Sequence, residues 1–357
     1  MLSEKPIFPV TLPPYYQQVE EPGNWSLGAV TVVTPRPLIY MRDLGYQSST
    51  SIARLQDVLI SEPLEIIGPE AAATLLESVF RLRETKENLS GSEPCEVIRA
   101  AAYRSALIRD FCLDSALSDF VGRALGRPVV ATALVHQLGI TNYTQLPCTN
   151  GALVDIGGWH IDQNAYVIIM SLGGMDGANQ AFLEYFEGTR EEGLQLLLSG
   201  REIPSDRVRK LSLPGPGWGV VMHGSLVLHR AGPAVGPLQR ISMVTAFEPR
   251  DVAIPDQNLT CFVGEGRALN RAEACERQAR AAEYARHKAW RAKGHLDDFL
   301  SLDLWGLSPE DIIGQLTACA KEIVEYVQLI RQEEVSEAHA LGEYLVKTGS
   351  LPPETEP

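Results

Sequence analysis

Residues 158–172 have the sequence GWHIDQNAYVIIMSL, in which a histidine and an aspartate lead into an apolar, β-branched run. The composition of the run predicts a strand. Residues i and i+2 of a strand share one face, so the His160 imidazole and the Asp162 carboxylate are expected to converge. His295 and Asp297 have the same spacing, but they lie among helical or loop residues, where that spacing points two side chains in different directions.

The sequence around this stretch predicts a β core. Between residues 128 and 250, short runs such as AYVIIMSL, GWGVVM and QRISMVTAF are separated by Gly/Pro turns such as PGPG at 214–217. Many short strands punctuated in this way are typical of an all-β sandwich or barrel. The exception is the insertion at 188–206, which has the composition of a short helix.

The flanks of this core have a different pattern. The first sixty residues predict irregular segments with a strand or two, and residues 63–125 predict helices, including a run that begins at CEVIRAAAY. Helical composition returns from about 268 to 348. The predicted division is therefore 1–127, an irregular and helical flank packing on the core; 128–250, the catalytic core; 251–348, a helical region; and 349–357, a disordered tail.

Composition excludes several classes of function. The chain of 357 residues carries 31 Lys+Arg against 45 Asp+Glu, a formal charge of -14, which repels phosphate backbones and anionic lipid. Six cysteines without a C-x-x-C motif disfavour structural zinc and a disulfide framework. There is no membrane-length apolar stretch and no recognisable signal peptide. We therefore expect a cytoplasmic protein that binds neither nucleic acid nor membrane.

A second histidine and a basic strand complete the motif set. His229 ends the apolar run of GSLVLHRAGP (224–233), just before a turn. Two histidines and one carboxylate form the facial triad that binds three adjacent positions of an octahedral Fe(II). Arg240 and Ser242 share a face of the next strand and offer a guanidinium fork and a hydroxyl to one carboxylate.

The order H-x-D, distant H, then R-x-S resembles the Fe(II)/2-oxoglutarate-dependent oxygenases, and the branch looks closest to phytanoyl-CoA-dioxygenase-like enzymes. Two further stretches also resemble this family: AFLEYFEGT at 181–189 and PGWGVVM at 216–222. The resemblance covers about 130–250. It implies a mainly β fold with helical flanks around a double-stranded β-helix (jelly-roll, cupin-like) core.

The resemblance also implies the chemistry. His160, Asp162 and His229 would be the catalytic Fe(II) ligands, and Arg240 with Ser242 would hold the cosubstrate 2-oxoglutarate, which reacts with O₂. The presence of Asp162 disfavours halogenation. The expected reaction is oxidation of a C–H bond of a small molecule, such as an amino acid or a biosynthetic intermediate of secondary metabolism, by hydroxylation, desaturation or oxidative cyclisation.

Alternative functions stay open at this point. A non-catalytic jelly-roll binding protein would bind no Fe(II), and two further alternatives are enzymes. One is a peptide or protein hydroxylase of the same superfamily. The other is a cupin-type, metal-dependent isomerase or hydrolase that does not use 2-oxoglutarate. Candidates for substrate contact are His136, Gln137, Asn142 and Tyr143, and the C-terminal helices are candidates for pairing with a second subunit as a homodimer.

Overall fold

The architecture comes from a computed structural model of the protein. It describes residues 8–9, 11–26, 28–85, 87, 89–92, 95–162, 164–175, 182–258 and 271–331. The predicted tail at 349–357 lies outside these residues. None of the described helices is long and apolar enough to cross a membrane.

The described elements fall into three regions along the chain. The N-terminal region contains β1 (Pro37–Tyr40), β2 (Val58–Ser61), β3 (Leu64–Glu65), α1 (Pro69–Glu84), β4 (Leu89–Ser92), β5 (Cys95–Ile98), α2 (Ala101–Arg104), α3 (Ala106–Cys112) and α4 (Ser115–Leu125). The central region contains β6 (Val129–Ala131), β7 (Ile140–Leu146), β8 (Leu153–Val154), β9 (Tyr166–Gly173), β10 (Leu183–Phe186), α5 (Arg190–Leu198), β11 (Val208–Leu211), β12 (Trp218–Met222), β13 (His229–Ala231), β14 (Ala234–Val235) and β15 (Leu238–Pro249). The C-terminal region contains α6 (Arg271–Leu300) and α7 (Pro309–Arg331).

The strands form a large sheet and a small one with a cavity between them. The large sheet has the order β1-β2-β12-β9-β15-β7-β5-β4, and in addition β3 pairs with β12 and β6 pairs with β15. The small sheet has the order β11-β10-β13, and β8 pairs with β14. The paired strands are antiparallel. This is a double-stranded β-helix, or jelly roll, as the sequence predicted.

Strand β9 shows why this sheet needs cover on both faces. Its alternate residues Ile168 and Met170 enter an apolar cluster with side chains of α1, α3 and α4. Val167 and Ile169 point the other way and pack with residues of the small sheet such as Tyr185. A strand that is apolar on both faces can be stable only between two layers. The helices therefore cover the outer face and leave the inner face to the cavity.

The N-terminal region differs from the expectation at one place. A helix was predicted from Cys95 onward, which was wrong for its first residues, because Cys95–Ile98 is strand β5. It pairs with β7, with Cys95 opposite Thr144 and Val97 opposite Asn142. The side chains of this short segment alternate between two faces, and its backbone pairs with the edge of β7. The segment therefore forms a strand, although the residues that follow it have a helical pattern.

Other helical expectations were confirmed. The insertion after residue 188 contains α5, and Thr189 accepts a hydrogen bond from the Glu192 amide as its N-cap. Ser308 caps α7 in the same way, since its Oγ accepts from the Asp311 amide at 3.1 Å. Helices α6 and α7 pack together. Helix α6 contacts the central region, where Glu283 pairs with His136 and His287 pairs with Glu248.

Candidate metal centre and cavity

Three side chains from two segments form one cluster. The candidate ligand atoms of His160, Asp162 and His229 all lie within 4.8 Å of one another. Nε2 of His229 is 3.6 Å from one carboxylate oxygen of Asp162, and Nε2 of His160 is 3.9 Å from the other. Among the described residues, this is the one group of three or more His, Cys, Asp or Glu side chains with metal-ligand spacing.

Backbone hydrogen bonds hold the two histidine segments in register. The amides of His160 and His229 each donate to the other residue's carbonyl oxygen at 2.9 Å, an isolated antiparallel bridge. The Asp162 amide donates to the Gly224 carbonyl oxygen at 2.9 Å. A Cβ on Gly224 would lie 2.4 Å from Asp162 Oδ2, so the absence of a side chain there makes room for the carboxylate.

The orientation of both imidazoles is fixed by the nitrogen that faces away from the cluster. Nδ1 of His160 donates to the Gly158 carbonyl oxygen at 2.8 Å, and Nδ1 of His229 donates to the Val227 carbonyl oxygen at 2.9 Å. A carbonyl oxygen can only accept, so the proton is on Nδ1 in each neutral ring. Both Nε2 lone pairs are therefore directed to the cluster, as metal ligation requires.

The electrostatics of the cluster fit a cation. Burial lowers the pKa of His229 to about 4, so this imidazole is neutral at physiological pH. The Oδ2 atom of Asp162 is buried and has no hydrogen-bond partner. A buried carboxylate oxygen without a donor is costly, and a divalent cation would satisfy it. Two neutral imidazoles and one carboxylate are the donor set that non-haem Fe(II) takes.

The cluster opens into a cavity of about 350 Å³ between the two sheets. Strands β15, β7 and β5 form one wall of the cavity. In this wall Arg240 of β15 lies opposite Thr144 of β7, and Ser242 lies opposite Asn142. The neighbouring part of the same wall is apolar and contains Ile140, Val167, Ile169, Val244 and Ala246. The cavity thus has a polar end and an apolar end.

Arg240 is the distinctive charge at the polar end. It is 2% exposed, and its Nε has no hydrogen-bond partner. Burial lowers the pKa of Arg240 to about 10. No carboxylate of the described residues forms an ion pair with its guanidinium. Ser242 lies two residues farther on the same strand, is 1% exposed and lines the same cavity.

The four residues proposed for substrate contact are divided by the structure. Gln137 and Asn142 line the cavity, whereas His136 and Tyr143 do not. His136 forms a buried pair with Glu283 of α6 through its Nδ1. Tyr143 points to the opposite face of β7, where its hydroxyl donates to Gln145 at 3.0 Å. Neighbouring residues of a strand face opposite sides, so Asn142 and Tyr143 cannot both face the cavity.

Sequence reasoning missed several cavity residues. Cys95, Val97 and Arg99 line the cavity from β5 and the segment after it, and Asn164 lines it two residues beyond Asp162. The signal for β5 was the two-residue alternation of Cys95 and Val97 with Glu96, whose carboxylate pairs with Arg83 at 2.6 Å. Asn164 gave no signal of its own.

His223, the other histidine near the motif, is not part of the cluster. It is 1% exposed, does not line the cavity and stacks edge-on against Tyr166. Burial lowers its pKa to about 3. His223 is therefore a neutral histidine of the interior.

Comparisons with known proteins give matches among solved structures only. No protein-family model matches the chain, and no curated protein matches it. The chain is similar to the non-haem α-ketoglutarate-dependent epimerase SnoN from nogalamycin biosynthesis, at 13% identity and a TM-score of 0.41, covering 53% of this chain and 77% of that one.

Two further solved structures are similar to the chain. HygX from Streptomyces hygroscopicus, with nickel and 2-oxoglutarate bound, is 12% identical with a TM-score of 0.37, and the match covers 60% of this chain and 88% of that one. EctD from S. alaskensis, with bound Fe, is 13% identical with a TM-score of 0.39, covering 63% and 85%. Assignment to the phytanoyl-CoA-dioxygenase-like branch stays a prediction.

Proposed function

We propose that this protein is a non-haem Fe(II)/2-oxoglutarate-dependent oxygenase that oxidises a C–H bond of a small molecule. One observation carries the proposal: a three-ligand cluster and a buried guanidinium without a carboxylate partner line the same cavity. Burying an unpaired cation costs several kcal/mol, so its presence needs a compensating anion. A dicarboxylate that also binds the metal would supply that anion.

Each residue has a defined task in this proposal. His160, Asp162 and His229 would hold Fe(II) on one side and leave the opposite side open. Arg240 and Ser242 would bind the distal carboxylate of 2-oxoglutarate by charge-assisted hydrogen bonds. The bound iron, with 2-oxoglutarate and O₂, supplies the oxidising power that breaks a substrate C–H bond. The apolar wall that includes Ile169 and Val244 excludes water from the reacting atoms.

The size of the cavity favours a small-molecule substrate. A cavity of about 350 Å³ is at the lower end of the range for ligand pockets, and 2-oxoglutarate would occupy part of it. The space that is left accepts a compact substrate better than a polypeptide. The outcome, whether hydroxylation, desaturation or oxidative cyclisation, would follow from where the substrate's C–H bonds lie relative to the metal.

Anaerobic titration of the apoprotein with Fe(II) and 2-oxoglutarate tests the proposal. A weak visible band near ~500 nm is expected when both are present, because the chelate places a keto oxygen on the metal. Glutarate is the matched control, since it offers both carboxylates to the protein but has no keto oxygen, and it should give no band. Addition of O₂ should then yield succinate. Absence of both the band and succinate would reject the proposal.

The titration and the turnover of 2-oxoglutarate together separate the two enzymatic alternatives. A cupin-type isomerase or hydrolase would bind a divalent metal without a requirement for 2-oxoglutarate. A peptide hydroxylase would give the band, but its 2-oxoglutarate turnover would respond to peptides and not to small metabolites.

A further inference from the structure

A buried cluster of charges lies outside the metal centre, where α6 packs on the end of β15. It consists of Glu248, Asp256, His287, Lys288, Arg291 and Glu322. Nε2 of His287 donates to Asp256 Oδ2 at 2.9 Å, and its Nδ1 lies 3.0 Å from Glu248 Oε2. Lys288 Nζ lies 2.7 Å from the same Asp256 oxygen.

These contacts keep Asp256 ionised. Burial by itself would raise the pKa of Asp256, but the positive charges of His287, Lys288 and Arg291 hold it well below its ordinary value. An ionised carboxylate can only accept hydrogen bonds. Every group that approaches Asp256 must therefore present a donor.

The ionised carboxylate of Asp256 determines which end of the Asn258 side-chain amide faces it. Oδ1 of Asp256 accepts from the backbone amide of Asn258 at 3.0 Å and from its Nδ2 at 2.9 Å. The NH₂ end of Asn258 therefore faces Asp256, and its Oδ1 faces away. Asn258 Nδ2 also lies 3.2 Å from His287 Nε2, but the proton on Nε2 is directed to Asp256 Oδ2, so the charge of Asp256 determines the orientation of this amide.

Asn258 in turn sets the orientation of Asn164. Asn258 Oδ1 accepts from Asn164 Nδ2 at 2.6 Å, so the NH₂ end of Asn164 is committed to Asn258. Asn164 is 1% exposed and lines the cavity. No described residue donates a hydrogen bond to its Oδ1. The cavity wall thus carries an amide oxygen of defined orientation.

We propose that Asn164 positions the substrate by accepting a hydrogen bond from it, so that the accepted substrates carry a hydroxyl or amino group near the carbon that is oxidised. This inference rests on the proposed function. Asn164 lines the same cavity as the candidate ligands His160 and Asp162, so its acceptor lies in the space where the substrate would react. A site built to accept from an O–H or N–H group discriminates strongly against an analogue that lacks it, because the acceptor is then left unpaired.

Asn258 is a positioning residue in this scheme, since it touches Asn164 and not the substrate. Asn164→Ala removes the acceptor, whereas Asn258→Ala keeps the acceptor and frees its orientation. Gln257→Ala is the matched control, because Gln257 is a buried amide on the same segment that accepts from Ser225 at 2.7 Å and does not contact Asn164.

The experiment measures succinate formation by the Fe(II)-loaded protein with a panel of amino acids and amino alcohols. Each compound is paired with an analogue in which one O–H or N–H group is replaced by a methyl group. In the wild type, the donor-bearing members should stimulate turnover at least tenfold more than their methyl analogues. Asn164→Ala should remove this discrimination. Asn258→Ala should raise KM for the best probe about five- to tenfold, the loss expected for one neutral hydrogen bond, with kcat retained.

A second measurement separates failure of the inference from failure of the proposed function. The visible band with Fe(II) and 2-oxoglutarate, and the Kd for 2-oxoglutarate, should be unchanged in Asn164→Ala, Asn258→Ala and Gln257→Ala. Absence of the band in the wild type would overturn the proposed function. With the band present, the inference is overturned if methyl analogues stimulate equally, if no donor-bearing probe stimulates, or if Asn258→Ala behaves as Gln257→Ala does. If Asn164→Ala does not fold, Asn258→Ala carries the test.

Discussion

Replacement of Arg240 by methionine should weaken 2-oxoglutarate binding and stabilise the protein in the absence of the cosubstrate. The side chain is 2% exposed, and its Nε has no hydrogen-bond partner. Burial lowers the pKa of Arg240 from its ordinary 12.5 to about 10, a difference that corresponds to about 3 kcal/mol against the charged form. Methionine has a similar length and no charge to desolvate. We therefore expect the free energy of unfolding of the ligand-free protein to rise by about 1–3 kcal/mol.

The effect on the cosubstrate has the opposite sign. A charge-assisted hydrogen bond contributes about 1.5–3 kcal/mol, so KM for 2-oxoglutarate should rise by about 10- to 150-fold in Arg240→Met. Ser242→Ala removes a neutral hydrogen bond and should raise it by only about 2- to 10-fold. The stabilisation that 2-oxoglutarate gives to the wild type in a thermal scan should be absent from Arg240→Met at the same concentration.

Urea unfolding without ligand and succinate formation at varied 2-oxoglutarate are the two assays. Arg104→Met is the matched control, since Arg104 is also buried but donates to the Glu87 carbonyl oxygen at 2.8 Å. Its removal leaves acceptors unpaired and should destabilise the protein. A KM for 2-oxoglutarate that stays within threefold of the wild type in Arg240→Met would refute the role of this cation.

Three further outcomes are expected. His229→Ala should abolish the visible band and turnover while the unfolding midpoint in the metal-free protein changes little, and a retained band would show that the ligand is wrongly assigned. Gly224→Ala should weaken Fe(II) binding in a metal titration, because a Cβ there would lie 2.4 Å from the Asp162 carboxylate, whereas Gly68→Ala, with nothing within 4 Å, should bind Fe(II) as the wild type does. Burial lowers the pKa of His287, but Asp256 and Glu248 raise it overall to about 9, so the stability from this cation is present below about pH 6.5 and lost as the pH rises through about 9. Between about pH 6.5 and a pH above 9, the free energy of unfolding measured with urea should fall by up to about 3 kcal/mol more in the wild type than in His287→Gln. An equal pH dependence of unfolding in the wild type and in His287→Gln would contradict this expectation.

The candidate metal ligands could be predicted because each is fixed by a local rule. The two-residue spacing predicted that His160 and Asp162 converge, and they do, although both precede β9 and His160 forms only an isolated bridge. Arg240 and Ser242 share a face of β15 by the same spacing. The pairing of the two segments, by contrast, is a bridge between His160 and His229 that only the folded chain contains. Their role as iron ligands remains a prediction until the metal is titrated.

Which of the four substrate candidates faces the cavity depends on contacts between distant parts of the chain. Asn142 and Tyr143 are neighbours, and the strand period required that only one face the cavity, but which one depends on the register between β7 and β15. The neighbours of His136 in the sequence are mostly apolar, and its partner Glu283 lies on helix α6, far along the chain. No residue pattern near these positions indicates which side chain of β7 faces the cavity or that His136 pairs with Glu283.

The sequence alone determined the alternation of short strands, the order of the candidate ligands and the basic strand that follows them, because side-chain period and turn residues act over a few positions. Only the tertiary structure decided that β5 lines the cavity and that Asn164 donates a hydrogen bond to Asn258. These features depend on contacts between distant segments, where the free edge of a sheet and the charge of a buried neighbour determine the conformation. Long-range pairing and desolvation are properties of the assembled fold, so no window of the sequence records them.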